Sequence, residues 1–97
     1  MTIKVILDSN FLFIPSQFKI DIFEELNRLL NQRFEPVLLS STFQELRSMA
    51  EKGAPKRRKQ ASLALELSAE KCRLVNVEKE VGETNDDVIL RIAIEWK

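Results

Sequence analysis

The chain has 97 residues, 44% of them hydrophobic, which is enough for the core of one domain and too short for a second. Cys72 is the only cysteine and histidine is absent, which excludes an intrachain disulfide and zinc sites built on Cys or His. Fifteen basic and fifteen acidic residues give zero net charge, so total charge neither favours nor opposes nucleic-acid binding. Because the sequence has no histidine and a single cysteine, any metal site must use oxygen ligands.

The amino-terminal third predicts a strand, a polar turn and an amphipathic helix. Residues 3–7 (IKVIL) are a short apolar, β-branched run that ends at Asp8-Ser9-Asn10, as a buried strand would. Residues 10–18 can begin as a helical turn, but Pro15 lacks a backbone donor and is expected to end it. Residues 20–30 predict an amphipathic helix. Its apolar residues at helical spacing are Ile20, Phe23, Leu26, Leu29 and Leu30.

The next part of the chain predicts a second strand and the start of a helix. Residues 37–39 form a short apolar run after a proline. Ser41 with Gln44, and Thr42 with Glu45, both have the spacing of a capping box, which opens helices. We therefore expect a helix to begin at this point.

The remaining elements are two helices, a strand and a final helix. Gly53 is expected to end the helix begun near Ser41, and Pro55 suits the first position of the next one, which is predicted to be mostly buried over residues 56–71. Its apolar residues are Ala61, Leu63, Ala64, Leu65, Leu67 and Ala69. Residues 74–77 predict a third strand, and residues 86–96 an amphipathic helix. The apolar face of that helix comprises Val88, Ile89, Ile92, Ala93 and Trp96.

The order of these elements predicts a three-layer α/β/α sandwich around a central parallel sheet, because the connections between strands are far too long for hairpins. Parallel strands end at one edge of the sheet, where ligands bind. Asp8 follows the first strand, Glu45 lies one turn into the helix after the second, and Asp86 and Asp87 open the helix after the third. Such converging carboxylates favour a hard cation, Mg²⁺ or Mn²⁺.

A cation held by carboxylates suits phosphodiester chemistry. It can polarise a phosphate oxygen and activate a water molecule, and two ions about 4 Å apart would stabilise both the attacking and the leaving oxygen. Other α/β domains also carry acids at this edge, so the architecture alone leaves the function open. A receiver-like signalling domain would require an aspartate directly after the third strand, where Asn76-Val77-Glu78 stands instead.

The sequence resembles the PIN domain family, especially the branch near the ribosomal RNA processing nucleases and their archaeal relatives. The resemblance rests on residues 6–26 (ILDSNFLFIPSQFKIDIFEEL), on STFQEL around Glu45 and on NDDVIL around Asp87. It covers nearly the whole chain. Each motif is short, and their order and spacing together carry the specificity.

The resemblance implies a metal-dependent endoribonuclease, in RNA processing or as a toxin-like ribonuclease. It matches Asp8, Glu45 and Asp87 to acidic metal ligands, with Asp86 as the immediate alternative, and Asn10 to the polar residue that steadies the first carboxylate. Family members usually continue into a fourth strand and a Thr-x-Asp turn with another acidic ligand. The single domain, residues 1–97, is therefore expected to be incomplete at its carboxyl end, which raises a second hypothesis: a catalytically weak scaffold that binds RNA or protein.

Each candidate residue also has a structural interpretation. Asp8 is a turn former, Glu45 a capping-box carboxylate, and Asp86 and Asp87 are acids favoured at any helix start. The run Lys56-Arg57-Arg58-Lys59 suits an RNA backbone, although a solvated helix start is the favoured explanation. Only the convergence of the acids favours a site.

The sequence predicts a cytoplasmic protein without membrane association, because its first apolar run is too short for a signal peptide or a membrane span. The expected partner is RNA. A protein partner such as an antitoxin, and a homodimer, stay open.

Overall fold

The computed structural model describes residues 2–96, which form three strands and five helices. In chain order these are β1 (Ile3–Ile6), α1 (Ser9–Phe18), α2 (Ile22–Leu30), β2 (Phe34–Leu39), α3 (Ser40–Lys52), α4 (Pro55–Lys71), β3 (Arg73–Val75) and α5 (Asn85–Glu95). The predicted α/β class is confirmed.

The three strands form one parallel sheet in the order β1-β2-β3. Ile6 of β1 pairs with Val37 of β2, and Val37 in turn pairs with Arg73 of β3. The second strand begins at Phe34, three residues before the predicted start, and the third covers only Arg73–Val75 rather than residues 74–77. All three strands therefore end at the same edge, as the crossovers predicted.

Two apolar clusters lie on opposite faces of the sheet and define the three layers. Leu38 of β2 packs with the buried residues of α1 to α4, whereas its neighbours Val37 and Leu39 pack with Val88 and Ile92 of α5. Successive side chains of a strand point to opposite faces, which explains this alternation. Helix α5 thus covers one face alone, and α1 to α4 cover the other.

Helix α1 continues through Pro15 to Phe18, so the prediction that Pro15 ends it was wrong. A proline inside a helix costs about 3 kcal/mol. Leu12 and Phe13 are both 2% exposed, and burying each contributes about 1.5–3 kcal/mol, which offsets that cost. The helix instead ends at Lys19, whose left-handed backbone (φ 55°) directs its N–H to the Pro15 carbonyl at 2.9 Å.

The predicted capping boxes of α3 are absent from residues 2–96. The helix begins at Ser40, before both predicted N-cap residues, Ser41 and Thr42. Its actual N-cap residue is Leu39, which supplies no side-chain acceptor. Ser41 and Thr42 are therefore already helical, and their hydroxyls are too far along the helix to act as N-caps. Glu45 consequently takes no part in a cap.

Helix boundaries elsewhere follow the sequence signals more closely. Helix α3 ends at Lys52 before Gly53, and Pro55 opens α4, both as predicted. Helix α2 begins at Ile22 rather than at residue 20, because the Asp21 side chain caps it by accepting hydrogen bonds from two backbone N–H groups.

Several residues predicted to be buried are exposed. Leu29 of α2 is 78% exposed, Leu63 of α4 is 45% exposed, and Ala69 and Ala93 also face solvent. None of the helices described in residues 2–96 is long and apolar enough to cross a membrane.

Candidate active site

Three of the predicted carboxylates line one cavity at the carboxyl edge of the sheet. The cavity has a volume of about 300 Å³, and Asp8, Glu45 and Asp86 line it together with Thr42 and Asn85. They come from the end of β1, the second turn of α3 and the start of α5. We call this space the acidic cavity.

Asp8 is fixed by its role as the N-cap of α1. Its Oδ1 atom accepts a hydrogen bond from the backbone N–H of Phe11 at 2.8 Å, and the side chain is only partly buried. No donor within residues 2–96 bonds its other oxygen, Oδ2. The cap therefore orients the carboxylate and leaves one oxygen available to a ligand.

Glu45 is held by Asn85, the first residue of α5. The Nδ2 atom of Asn85 donates to Oε2 of Glu45 at 2.5 Å, a partly buried bond between residues forty positions apart. The interpretation of Glu45 as a capping-box carboxylate is excluded by the start of α3, and this bond takes its place. Asn85 thereby joins the two helices that carry acids.

The neighbours Asp86 and Asp87 point to different surroundings. Asp87 belongs to a capping box in which its Oδ2 accepts from the Thr84 N–H at 3.0 Å and its own N–H donates to Thr84 Oγ1 at 3.2 Å. Hydrogen bonding to the carboxylate from Thr84, first from its backbone N–H and then from its side chain, holds the pKa of the Asp87 carboxyl below its usual value. Asp86 lines the acidic cavity, whereas Asp87 lines a separate shallow hollow with Arg91. Of the two, Asp86 lies with Asp8 and Glu45.

An ion pair braces the loop that leads into α5. Arg91 donates from Nε to Glu83 Oε2 at 3.0 Å and from Nη2 to Glu83 Oε1 at 3.1 Å, and Nη2 also reaches the Glu78 carbonyl at 2.6 Å. The hydrogen bonds from Arg91 lower the pKa of Glu83, and the reverse contacts raise that of Arg91. The brace fixes the loop that ends at Asn85 and Asp86.

Two polar oxygens at the acidic cavity are buried without hydrogen-bond partners among the described residues. They are Oγ1 of Thr42, a residue only 1% exposed, and Oδ1 of Asn85. A buried acceptor without a partner costs about 1–3 kcal/mol, so these atoms fit a cation or the water molecules bound to it. With three carboxylates nearby, the donor set consists of oxygen, as Mg²⁺ and Mn²⁺ prefer.

The acids do not form a closed metal cage. Across residues 2–96, no group of three acidic, histidine or cysteine side chains stands close enough to hold one metal ion together. Magnesium usually binds through one or two carboxylates and retains several water molecules. The oxygen ligands present are therefore of the type that binds a hydrated magnesium ion. Their arrangement is that of an open site rather than a preformed one.

The other predicted site residues lie outside the carboxylate group. Asn10 lines the acidic cavity and is exposed, and its side chain makes no hydrogen bond to Asp8 within the described residues. All four residues of the run Lys56–Lys59 are exposed and none lines this cavity, although the Arg57 guanidinium lies 5.2 Å from the ring centre of Phe13 on α1.

Sequence reasoning missed Asn85 and Thr42 as members of the site. Asn85 lies one residue before the predicted start of the last helix, and its position directly before the two aspartates was the available signal. Thr42 was interpreted only as a cap, because nothing in the sequence shows that its hydroxyl is buried beside Glu45.

Comparisons with known proteins agree with this architecture. The solved structure titled "Structure of the PIN domain endonuclease Utp24" superposes with a TM-score of 0.70 at 24% identity, over 94% of this chain. The chain spans 63% of the length of that protein chain. A search of curated protein sequences found no match. The model of the PIN-like domain family matches residues 5–97. The chain therefore belongs to the PIN-like domain family.

Proposed function

We propose that this protein is an endoribonuclease that depends on Mg²⁺ or Mn²⁺. The observation that carries the proposal is the meeting of Asp8, Glu45 and Asp86, from three distant segments, around one cavity at the carboxyl edge of the sheet. Membership of the PIN-like family, and likeness to a protein described as an endonuclease, support the same chemistry.

In this proposal the side chains of the acidic cavity bind and orient the reactants. Asp8, Glu45 and Asp86 would contact the hydrated cation, directly or through its bound water molecules, and the cation when bound would supply Lewis-acid activation of water and stabilisation of phosphate charge. Asn85 holds one oxygen of Glu45, and the Phe11 N–H holds one oxygen of Asp8. These bonds reduce the reorganisation required when substrate binds.

The biological setting belongs to the proposal as well. We place the protein in RNA processing or among toxin-like ribonucleases, in the cytoplasm, with RNA as partner. The toxin-like setting would add a protein antitoxin and a homodimer, and we propose no membrane partner.

A second candidate function is a catalytically weak scaffold that binds RNA or protein. The absence of a closed group of three acids within residues 2–96 favours it. Cleavage separates the two candidates, because a scaffold would bind RNA without cutting it.

The test is cleavage of a labelled single-stranded RNA by the purified protein. We expect cutting with millimolar Mg²⁺ or Mn²⁺, loss of cutting with excess chelator, and recovery when metal is added back. An Asp8→Asn protein purified in parallel controls for contaminating nucleases. RNA binding without cleavage under any metal would favour the scaffold instead.

The topology supports a position of the basic run Lys56–Lys59 on the side of the molecule where the acids are. Helix α4 has 17 residues, about 25 Å, and its carboxyl end leads into the start of β3. Because β3 begins level with Val37, only about 10 Å of strand remains before the carboxyl edge, so a helix of that length running antiparallel to the strands extends past that edge at its amino end. The contact of Arg57 with Phe13, on the helix that Asp8 caps, agrees with this placement.

We therefore predict that this run contacts the RNA backbone. Each lost phosphate contact should flatten the slope of log K against log salt by about 0.7 for a single strand. Changing all four residues to Ala should flatten the slope clearly. A triple variant that retains Arg57 controls for stability, because it preserves the contact with Phe13. Unchanged slopes in both variants would make the run a solvated helix start.

A further inference from the structure

A second cavity, of about 450 Å³, adjoins the acidic cavity. The two share Glu45, Met49 and Asn85 as lining residues, so these three side chains from α3 and α5 form the boundary between them. The second cavity is otherwise mainly polar, and we call it the serine cavity. Its distinguishing residues are Ser40, Ser41, Gln44, Ser48 and Lys79.

The start of α3 gives this region an affinity for anions. Its first backbone N–H groups receive no side-chain cap from the described residues, and an uncapped helix start attracts negative charge. Two hydroxyls at the same helix start are buried and lack partners within residues 2–96. Ser41 Oγ lies at the serine cavity, and Thr42 Oγ1, on a residue 1% exposed, lies at the acidic cavity. Of the two, only the Ser41 hydroxyl borders the serine cavity, where it can donate to a bound anion.

The loop after β3 brings a cation to the serine cavity. The Ser40 hydroxyl accepts from the Val77 N–H at 2.9 Å and donates to the Val77 carbonyl at 3.2 Å, which fixes the loop to the start of α3. Lys79 follows two residues later, lines the cavity and forms no ion pair with any described residue. Its charge is thus available to a bound anion.

We propose that the serine cavity holds the nucleotide adjoining the scissile phosphate, and so selects which RNA sequence is cut. In this arrangement Lys79 and the start of α3 bind the phosphate of that nucleotide, while Ser41, Gln44 and Ser48 contact its base or ribose. A volume of about 450 Å³ lies within the range of about 300–1,000 Å³ typical of small-ligand pockets. The inference rests on the proposed function, since it assumes that RNA crosses the acidic cavity.

The occupant is expected to be single-stranded. Hydroxyl and amide groups can read a base only when its edges are unpaired, and sequence-specific RNA recognition therefore targets single strands and loops. Gln44 is exposed at the mouth of the cavity, and its side chain carries both a donor and an acceptor. It is the residue best suited to discriminate between bases.

The first test measures binding of a labelled single-stranded RNA octamer in chelator, where cleavage is prevented. Lys79→Gln should flatten the slope of log K against log salt by about 0.7, the effect of one lost phosphate contact. Lys71→Gln, at the opposite end of α4 from the acidic edge, is the matched control and should leave the slope unchanged. Equal slopes for the two variants, or no binding by the wild type, would overturn the proposal.

The second test measures base preference with octamers of A, C and U under the same conditions. Gln44→Ala should change the ratio of affinities between the octamers by about fivefold, as expected for one hydrogen bond. Gln17→Ala, which removes an exposed amide on α1, should leave the ratios unchanged. Preserved ratios in the Gln44 variant would show that the cavity does not read the base.

Failure of this inference can be separated from failure of the proposed function. Normal metal-dependent cleavage combined with unaltered binding by Lys79→Gln would reject the serine cavity and retain the nuclease. A flattened salt slope in Lys79→Gln, in a protein that never cleaves RNA, would retain the cavity and reject the nuclease.

Discussion

Asp86→Asn is expected to lower RNA cleavage at least about 100-fold, while Asp87→Asn leaves it nearly unchanged. Changing a residue that only supports a metal ligand costs about 10- to 100-fold, so losing a ligand should cost at least the upper end. Asp86 lines the acidic cavity, whereas the Asp87 carboxylate is bonded to Thr84 and lines a different hollow. The measurement is the single-turnover cleavage rate at saturating metal.

The two variants control for each other, because each removes one negative charge at the start of the same helix. A general effect of charge on RNA affinity would therefore appear in both. Asp8→Asn provides a third arm with a loss similar to that of Asp86→Asn. Asparagine can still accept the Phe11 N–H, so the cap of α1 and the fold should persist.

The opposite result would also be informative. The resemblance to PIN domains matched the ligand to Asp87, with Asp86 as its alternative. If Asp87→Asn abolished cleavage and Asp86→Asn did not, the Asp87 carboxylate would have to leave its capping box when metal binds. The assignment of Asp86 made from the cavity would then be wrong.

The parallel sheet could be predicted because its signals are local and mutually consistent. Short apolar runs, long crossovers and the residues Gly53 and Pro55 all indicate the same order of elements. Signals failed where tertiary packing outweighs a local preference. Pro15 remains helical because Leu12 and Phe13 are buried beside it, and Ser40 joins α3 while its hydroxyl bonds Val77.

The carboxylate cluster could be predicted from the sequence, but the choice between the neighbours Asp86 and Asp87 could not. Topology alone brings the starts of α3 and α5 to the edge that Asp8 occupies. The direction of each side chain depends on its hydrogen bonds, and the Thr84–Asp87 box and the Glu45–Asn85 bond decide it here. The Thr84–Asp87 box has a local spacing that a sequence can show. The Glu45–Asn85 bond joins residues forty positions apart, so no local pattern indicates it.

Metal should raise the melting temperature of the protein, because a ligand that binds only the native state stabilises it. At about 100 times its dissociation constant the gain is roughly 2.7 kcal/mol. For a domain of this size, 1 kcal/mol corresponds to about 4–8 °C, so the expected rise is about 10–20 °C at that concentration. No three acids within residues 2–96 are close enough to hold one metal ion together, and weak metal affinity is therefore expected.

The decisive comparison is the metal-induced change in melting temperature of the wild type, Asp8→Asn and Asp87→Asn. Asp8→Asn should lose most of the response to millimolar Mg²⁺ or Mn²⁺, because it removes a carboxylate of the acidic cavity. Asp87→Asn should respond like the wild type, since its carboxylate lies outside that cavity. Melting curves must be compared at matched ionic strength, so that screening of surface charges is not mistaken for binding. If all three proteins respond alike, the carboxylates do not form one site, and the nuclease proposal loses its physical basis.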